Sequence, residues 1–326
     1  MHASITPLID HEIAAVLPEP NFFLIGAGRA GSTAMSYMLR QHPQIFVTTP
    51  KEPHFLAFPA QRLSFKGPGD DLNVNRLAVT DPDEYARLYT GTEGFLARGD
   101  ASVSTLYYWE RSIPTLRDLY PDARLIALLR DPAQRAFSSF QYQKIRGFEP
   151  VDDFEEALDL ETKRIEMNWQ HLWHYTRMSF YHRALEAFTE AVGPDRILIL
   201  FQEELKQAPD VVLQRTFHFL GVDDTVRIEP ITVNVSGKER RPIIQKVIRN
   251  LGSAPLLKDI TDRIVPYRVR ERVRSSNLEQ ATMSHSAQER LDETFRDDIP
   301  ALRNLMRSRF SAEPKSLPEW LSSASP

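Results

Sequence analysis

Residues 21–39, NFFLIGAGRAGSTAMSYML, contain an apolar run, a glycine-rich turn and a run of helix-forming residues in direct succession. The apolar run at 22–25 predicts a buried strand, and the residues from Ser32 onward predict a helix. Glycines at such a junction let several backbone N–H groups converge, and the start of the helix adds partial positive charge. The stretch therefore predicts a phosphate-binding loop at the edge of a parallel sheet.

The residues within this loop narrow the choice of ligand. Phosphate loops of nucleotide triphosphatases have Gly, four residues, Gly, Lys and then Ser or Thr. Gly26, Gly31 and Thr33 match this spacing, but Ser32 occupies the lysine position and the cation is Arg29, inside the loop. Because the missing lysine reaches the terminal phosphates during phosphoryl transfer, the loop predicts a phosphate-bearing donor other than ATP–Mg²⁺.

Short apolar runs alternate with amphipathic runs along the chain. The predicted strands are at 22–25, 45–47, 125–129 and 197–201, and the predicted helices are at 32–42, 82–90, 111–120, 132–147, 153–169, 178–192 and 208–220. This alternation is typical of an α/β fold of the P-loop type, a three-layer α/β/α arrangement around a central, mostly parallel sheet of about five strands. An Asp directly before Pro82 and Pro132 predicts two helix starts, and residues 59–80 predict a long surface loop.

The composition excludes several classes of protein. The 326 residues include 40 Lys+Arg, 44 Asp+Glu and no Cys, with a formal net charge of -4. A chain without Cys has no disulfides, thiolate zinc sites or Cys nucleophiles, and this charge gives no electrostatic case for a nucleic-acid partner. The sequence contains no run of about 18 apolar residues, so we predict no membrane span. Residues 1–20 make a poor signal peptide, and we expect a cytoplasmic protein.

A second predicted anion site follows the strand at 125–129. The strand ends at Arg130, where a triphosphatase would usually have a Mg²⁺-binding Asp, and the following helix carries Ser138. An arginine fork and a hydroxyl suit a terminal phosphate monoester because they supply several hydrogen-bond donors without a metal. The alternative is that Arg130 pairs with a nearby carboxylate.

Three motifs in this order resemble a known family. The sequence contains Gly-x-x-Arg-x-Gly-Ser-Thr at 26–33, Lys-Glu-Pro-His-Phe at 51–55 and Leu-Arg-Asp-Pro-x-x-Arg-Ala-x-Ser at 129–138. Together they resemble the sulfotransferases that use 3′-phosphoadenosine-5′-phosphosulfate (PAPS), over a region from about residue 21 to residue 320. The resemblance implies PAPS as the co-substrate, 3′,5′-ADP as its product and no metal.

The resemblance also implies how the chain is divided and which residues bind the donor. Residues 1–20 form an N-terminal tail and 21–320 a single domain, with the donor loop near 26–33, a late donor and acceptor segment at 230–275 and a C-terminal helix at 287–309. The implied donor-binding residues are Gly28, Arg29, Ala30, Gly31, Ser32, Thr33, Arg130, Ser138, Ser179, Gly237, Lys238 and Arg240. In the family, the cation at Arg29 stabilises charge on the bridging oxygen, and the pair at Arg130 and Ser138 binds the 3′-phosphate.

The motif at 51–55 supplies the implied catalytic groups. In carbohydrate sulfotransferases the Glu of this motif is the general base, so the resemblance implies that Glu52 is the base and that His54 assists it or takes its place. Without the resemblance, the sequence would indicate only a surface ion pair between Lys51 and Glu52. The other histidines give no metal cluster, since His171 and His174 stand beside tryptophans and predict packing or surface positions.

The predicted function is therefore sulfuryl transfer from PAPS to a hydroxyl acceptor by in-line displacement. The acceptor is a carbohydrate, a glycolipid or a small-molecule alcohol, and the sequence does not choose among them. The alternatives are a P-loop kinase of small molecules and a nucleotide-binding module without catalysis. The sequence predicts no oligomeric state.

Overall fold

The computed structural model describes residues 19–229, 282–311 and 317–322, together with the backbone of two short strands, Lys238–Glu239 and Leu278–Glu279. Gly237, Arg240 and most of the 230–275 segment lie outside the described residues, as does nearly all of the N-terminal tail. Their assigned roles in donor binding therefore stay predictions.

The central sheet is built from five parallel strands in the order β2-β3-β1-β4-β5. The strands are β1 (Phe22–Gly26), β2 (Ile45–Val47), β3 (Ala97–Asp100), β4 (Arg124–Leu129) and β5 (Ile197–Phe201). Four of them are the apolar runs predicted from the sequence, and the α/β fold class is confirmed. The strand β3 was not predicted because its sequence, ARGD, contains no apolar run. These residues form a strand because they pair with β1 on one side and β2 on the other.

The helices lie on both faces of the sheet. They are α1 (Ser32–Leu39), α2 (Val74–Leu77), α3 (Pro82–Arg87), α4 (Ser104–Tyr107), α5 (Trp109–Leu119), α6 (Pro132–Ile145), α7 (Phe154–Asp159), α8 (Glu161–Glu166), α9 (His182–Val192), α10 (Gln202–Gln207), α11 (Pro209–Leu220), α12 (His285–Thr294), α13 (Asp298–Arg309) and α14 (Glu319–Ser322). The short strands β6 (Lys238–Glu239) and β7 (Leu278–Glu279) form an antiparallel pair, and β6 lies against α6. No helix among the described residues is both long and apolar enough to cross a membrane.

The predicted helix starts before Pro82 and Pro132 are confirmed. The side chain of Asp81 accepts a hydrogen bond from the backbone N–H of Glu84 at 2.9 Å, and that of Asp131 accepts one from Gln134 at 2.7 Å. Each carboxylate thus satisfies one of the unpaired N–H groups of the first turn, next to a proline that has no N–H to satisfy.

Three predicted segments differ from the structure. The helix predicted at 153–169 is divided into α7 and α8, and the one predicted at 287–309 is divided into α12 and α13. Pro300 disfavours a continuous helix at 287–309 because its ring would clash with the carbonyl of Arg296, whereas the first turn of α13 accommodates it. The helix predicted at 178–192 begins only at His182, after a 3₁₀ turn at Arg177–Ser179.

The 59–80 segment is not simply a surface loop. The side chain of Asp70 is fully buried and accepts hydrogen bonds from the backbone N–H groups of Gly67 and Gln170 and from the indole of Trp173, at 2.8, 3.1 and 3.3 Å. The segment is therefore fixed to the turn at 170–173, a contact between distant parts of the chain that was not predicted.

The parallel strands place the predicted site at one edge of the sheet. The glycine loop follows β1, the 101–104 turn follows β3 and Arg130 follows β4. Because β3, β1 and β4 are neighbours that run in the same direction, the residues after their carboxyl ends converge.

Candidate active site

The glycine loop leaves no room for a side chain at Gly26, and at Gly28 a side chain would have to displace the end of Met178. A Cβ on Gly26 would lie 2.8 Å from the Cβ of Leu106, and a Cβ on Gly28 would lie 2.7 Å from the Cε of Met178. Gly31 has a φ of 109°, in the region that favours glycine. The loop is therefore held close to its surroundings at residues 26–28, and its backbone turns sharply into α1.

Arg29 extends from this loop toward α6. Its guanidinium lies 4.3 Å from the ring centroid of Tyr142, in a cation–π contact. The positive charge of Arg29 also contributes to lowering the pKa of Glu52. The cation of the glycine loop thus acts on the carboxylate that the sequence predicts as the base.

Arg130 contacts the glycine loop, which the sequence alone did not predict. Its Nη1 donates a hydrogen bond to the carbonyl oxygen of Arg29 at 3.2 Å, and its own carbonyl accepts one from the hydroxyl of Tyr181 at 3.0 Å. Burial lowers the pKa of Arg130, although Tyr181, Asp131 and Glu203 oppose the effect. Among the described residues Arg130 forms no ion pair with a carboxylate, so the alternative reading of this arginine is not supported.

The helix α6 brings a second arginine under the loop. Arg135 is fully buried and donates hydrogen bonds to the carbonyls of Gly28 and Tyr175, at 3.5 and 2.5 Å, and to the hydroxyl of Ser179 at 2.5 Å. Ser138 is buried on the same helix. Sequence reasoning did not give Arg135 a role, although its place in the Arg-Asp-Pro-x-x-Arg motif was a signal.

Ser179 is held against the start of α6. The residue is fully buried, its hydroxyl donates to the carbonyl of Pro132 at 2.9 Å, and it accepts the bond from Arg135. Ser179 therefore positions Arg135, and the donor contact that the resemblance implies for Ser179 stays a prediction.

The motif at 51–55 is held by the turn that follows β3. The backbone N–H of His54 donates to the hydroxyl of Ser102 at 3.0 Å, and that hydroxyl donates to Oδ1 of Asp100 at 2.7 Å. The Nδ1 atom of His54 is hydrogen-bonded to the hydroxyl of Ser104 at 2.8 Å. Asp100 at the end of β3 and the turn after it therefore hold His54 of the predicted catalytic motif.

Lys51 and Glu52 form an ion pair, as expected without the resemblance, but the pair lies beside the buried ring of His54 and not on an open surface. Burial raises the pKa of Glu52, but the ammonium of Lys51, together with His54 and Arg29, more than offsets this and holds it below its usual value. Burial lowers the pKa of His54 to about 4 despite the neighbouring carboxylate. At neutral pH the site therefore contains an ionised carboxylate next to an uncharged imidazole.

A second histidine lies at the same place. His171 is 1% exposed, and its ring centroid is 5.7 Å from that of His54. His174, by contrast, is hydrogen-bonded through both ring nitrogens, to the hydroxyl of Tyr107 at 2.6 Å and the carbonyl of Trp169 at 3.0 Å. The predicted packing role suits His174, whereas the position of His171 beside His54 could not be read from the sequence because the two are far apart in the chain.

A cavity of about 810 Å³ opens next to the glycine loop. Ala27 and Val103 form part of its wall, and Val103 stands between the two serines that hold His54. The rest of the lining combines aromatic and charged residues. They include Tyr107, Tyr108, Trp109, Arg111, Arg177 and Arg183.

The sequence model of the Sulfotransferase family matches residues 20–225, which contain the glycine loop, the 51–55 motif and Arg130. This chain belongs to that family, and the family predicted from the three motifs is confirmed.

Particular relatives and one solved structure agree with this assignment. The chain is 26% identical to human carbohydrate sulfotransferase 15 over 170 residues, which is 43% of this chain and 30% of that protein. It is 24% identical to the mouse bifunctional heparan sulfate N-deacetylase/N-sulfotransferase 3 over 217 residues, 62% of this chain and 22% of that protein. The crystal structure of a sulfotransferase from Alicyclobacillus acidocaldarius superimposes with a TM-score of 0.70 and 26% identity, covering 89% of this chain and 97% of that one. The chain thus spans less than a third of the length of these curated relatives.

Proposed function

We propose that this protein transfers a sulfuryl group from PAPS to a hydroxyl group of a carbohydrate. The observation that carries the proposal is the hydrogen bond from Arg130 to the carbonyl of Arg29. It joins an arginine at the end of β4 to the phosphate-binding loop after β1, so that two anion-binding features lie side by side. A donor with phosphate groups at both its 3′ and 5′ positions needs such a pair.

The residues around the loop fit such a donor. The loop at 28–33 would hold the 5′-phosphosulfate through backbone N–H groups at the start of α1. Arg130 and Ser138 would hold the 3′-phosphate, since a guanidinium fork matches the oxygens of a phosphate group. The close packing of Gly26 against Leu106 keeps the loop backbone in place for this contact.

The proposed reaction is an in-line displacement in which the acceptor oxygen bonds to sulfur and the bond from sulfur to the 5′-phosphate oxygen breaks. The proton of the acceptor hydroxyl passes to the carboxylate of Glu52, which Lys51 keeps ionised. Backbone N–H groups of the loop and Arg29 stabilise the charge on the departing oxygen, and each such donor is worth about 10²–10³ in rate. His54 stays uncharged and is held in place by Ser102 and Ser104 of the turn after β3.

A carbohydrate acceptor is supported by two observations. The similar proteins named above act, by their names, on carbohydrate or heparan sulfate. The cavity beside Ala27 presents aromatic faces next to charged side chains, among them Trp109 and Arg177, and aromatic residues with a few polar groups suit the apolar faces and hydroxyls of a sugar. We also propose the cytoplasm as the location, with which the absence of Cys is compatible.

Ligand-induced thermal stabilisation tests the donor assignment, with 3′,5′-ADP, 5′-AMP and ATP–Mg²⁺ as ligands. We expect 3′,5′-ADP to raise the melting temperature most, and Arg130→Ala to abolish its advantage over 5′-AMP because the 3′-phosphate loses its partner. Arg215→Ala, at an exposed site on α11, is the matched control. An equal response to 5′-AMP and 3′,5′-ADP would refute the proposal, and a dominant response to ATP–Mg²⁺ would favour the kinase.

Transfer itself is tested with labelled PAPS and an extract of glycans, glycolipids and small alcohols. We expect label in the glycan fraction. Label only in small alcohols would contradict the proposed acceptor class.

A further inference from the structure

Three potential metal ligands converge beside the glycine loop. One oxygen or nitrogen atom from each of Glu52, His54 and His171 lies within 4.8 Å of the corresponding atoms of the other two. Two imidazole nitrogens and one carboxylate oxygen form a set of ligands that suits divalent transition metals, above all Zn²⁺. No other group of this kind was found among the residues that the structure describes.

The state of His171 is an independent indication of a ligand. The side chain is 1% exposed, and neither Nδ1 nor Nε2 finds a hydrogen-bond partner in the described part of the chain. A buried polar group without a partner costs about 1–3 kcal/mol. The aromatic neighbours Tyr107 and Tyr108 fix the plane of the ring, with centroid distances of 6.1 and 5.6 Å. A metal ion bound by one of its nitrogens would satisfy this residue.

The second histidine is oriented in the way that metal-binding histidines usually are. The Nδ1 atom of His54 is hydrogen-bonded to the hydroxyl of Ser104 at 2.8 Å, which fixes the ring and leaves Nε2 for a ligand. Hydrogen bonds of this kind to the outer nitrogen orient metal ligands in most metalloproteins.

We propose that Glu52, His54 and His171 bind a divalent transition-metal cation of the Zn²⁺ class, and that the bound cation reversibly inhibits the enzyme by occupying the carboxylate of Glu52. With metal–ligand bonds of about 2.0–2.2 Å, the ligand atoms of a tetrahedral site are about 3.3–3.6 Å apart. Small rotations of the three side chains would bring their ligand atoms from the observed separations, within 4.8 Å, to these distances. Metal binding stands on this geometry alone, whereas inhibition rests on the proposed role of Glu52 as the base.

Lys51 limits the affinity of the proposed site. Its ammonium binds Oε1 of Glu52, so a cation must compete with it for the carboxylate. The second carboxylate oxygen remains for the metal. Removing the ammonium therefore removes both a competitor and a repelling positive charge.

Binding is tested by titrating the protein with Co²⁺ and following the visible absorption band of tetrahedral Co²⁺. We expect His171→Leu to weaken binding about tenfold or more, the usual range for loss of a metal-site group, and Lys51→Met to tighten it about tenfold. Tighter binding in Lys51→Met cannot come from a folding defect. His218→Gln, at a histidine whose side chain is 84% exposed, controls for binding at the surface and should leave the titration unchanged.

Inhibition is tested by measuring sulfuryl transfer with increasing Zn²⁺, relative to the metal-free rate of the same variant, and then adding EDTA. We expect the concentration for half-inhibition to rise about tenfold in His171→Leu and to fall about tenfold in Lys51→Met. Equal Co²⁺ binding by the wild type and His171→Leu, or loss of binding in His218→Gln, would overturn the proposed site. Stimulation by Zn²⁺ would overturn the inhibitory role. Co²⁺ binding as expected in a protein that sulfates no acceptor would count against the proposed function alone.

Discussion

Arg29, Glu52 and His54 have backbone φ angles of 69°, 65° and 64°. Residues with side chains reach this left-handed region at a cost of about 1 kcal/mol or more each. Bonds from other elements offset the cost, since Arg130 donates to the carbonyl of Arg29 and the hydroxyl of Ser102 accepts from the N–H of His54. The directions of these side chains therefore depend on the assembled sheet edge and not on the local sequence.

The role of Glu52 is tested by the substitution Glu52→Gln, which removes the proton acceptor and preserves the shape of the side chain. We expect kcat to fall about 10²–10⁴-fold, the range of general-base catalysis. Binding of 3′,5′-ADP should be unchanged, because the loop and Arg130 hold the donor. Initial rates with labelled PAPS measure the first effect and thermal shifts the second. Glu190→Gln, at an exposed position on α9, is the control, and a turnover within about threefold of wild type would dismiss Glu52 as the base.

Asp100 makes the stability of the protein depend on pH. Burial raises its pKa from 3.8 to about 6, although hydrogen bonds from Ser102 and Tyr85 oppose the effect. The folded state thus holds the proton more tightly than the unfolded chain. The free energy of unfolding contributed by this group therefore falls as the pH rises from about 4 to about 6, by about 3 kcal/mol in all.

Urea unfolding of the wild type and Asp100→Asn at a series of pH values measures this contribution. The asparagine does not titrate, so we expect the variant to gain stability relative to the wild type as the pH rises, by up to about 3 kcal/mol between about pH 4 and pH 7. Subtracting the two curves cancels the titration of all other groups. A difference that stays constant with pH would show that Asp100 has an ordinary pKa.

Among the elements, β3 connects the supports of the catalytic motif to the middle of the sheet. Gly99 lies opposite Phe22 of β1 and Val47 of β2. A Cβ at Gly99 would come within 2.4–2.5 Å of ring atoms of Phe22, which is fully buried. The strand can therefore approach β1 only because this position has no side chain.

The substitution Gly99→Ala tests this packing. We expect the free energy of unfolding to fall by about 1–3 kcal/mol, the usual cost of overfilling a core. Gly94→Ala is a matched control because a Cβ there meets no atom within 4 Å, and we expect it to stay within about 0.5 kcal/mol of wild type. Urea unfolding measures both variants. Equal stabilities of the two variants would show that the Phe22 ring moves aside without cost.

At the scale of the whole molecule, the C-terminal helices are tied to the donor site. Asp298, at the start of α13, accepts hydrogen bonds from the backbone N–H groups of Tyr181 and His182 at 3.0 and 3.3 Å. The carboxylate thus caps the start of α9 across 117 residues of sequence. Since the hydroxyl of Tyr181 in turn donates to the carbonyl of Arg130, the cap helps to place the second anion site.

Loss of this cap is tested by Asp298→Ala. We expect a loss of about 1 kcal/mol in the free energy of unfolding, typical for the removal of a helix cap. Asp298→Asn should lose less, because the amide oxygen still accepts one of the two bonds. Chemical denaturation measures the free energy of unfolding of the two variants and the wild type, and so ranks the three by stability. An alanine variant as stable as wild type would show that this long-range cap contributes nothing.

The sequence allowed much of this fold and part of the site to be predicted. Four strands were predicted because each is a short apolar run, and the helix starts at Pro82 and Pro132 because the capping residue and the proline are adjacent in sequence. The strand β3 was missed, since its ARGD sequence becomes a strand only by pairing on both edges. The bond from Arg135 to Ser179 was not predicted because it joins distant parts of the chain.

The amino-acid sequence by itself determined the order of strand, loop and helix, the absence of the phosphate-loop lysine at Ser32 and the arginine at the end of β4. Each of these features lies within a short stretch of the chain, so the residues of that stretch determine it without contacts from elsewhere. Only the tertiary structure decided that Arg130 faces Arg29 and that His171 joins Glu52 and His54. Such contacts link residues from separate elements, and their free energy appears only when the parallel sheet brings those elements to one edge.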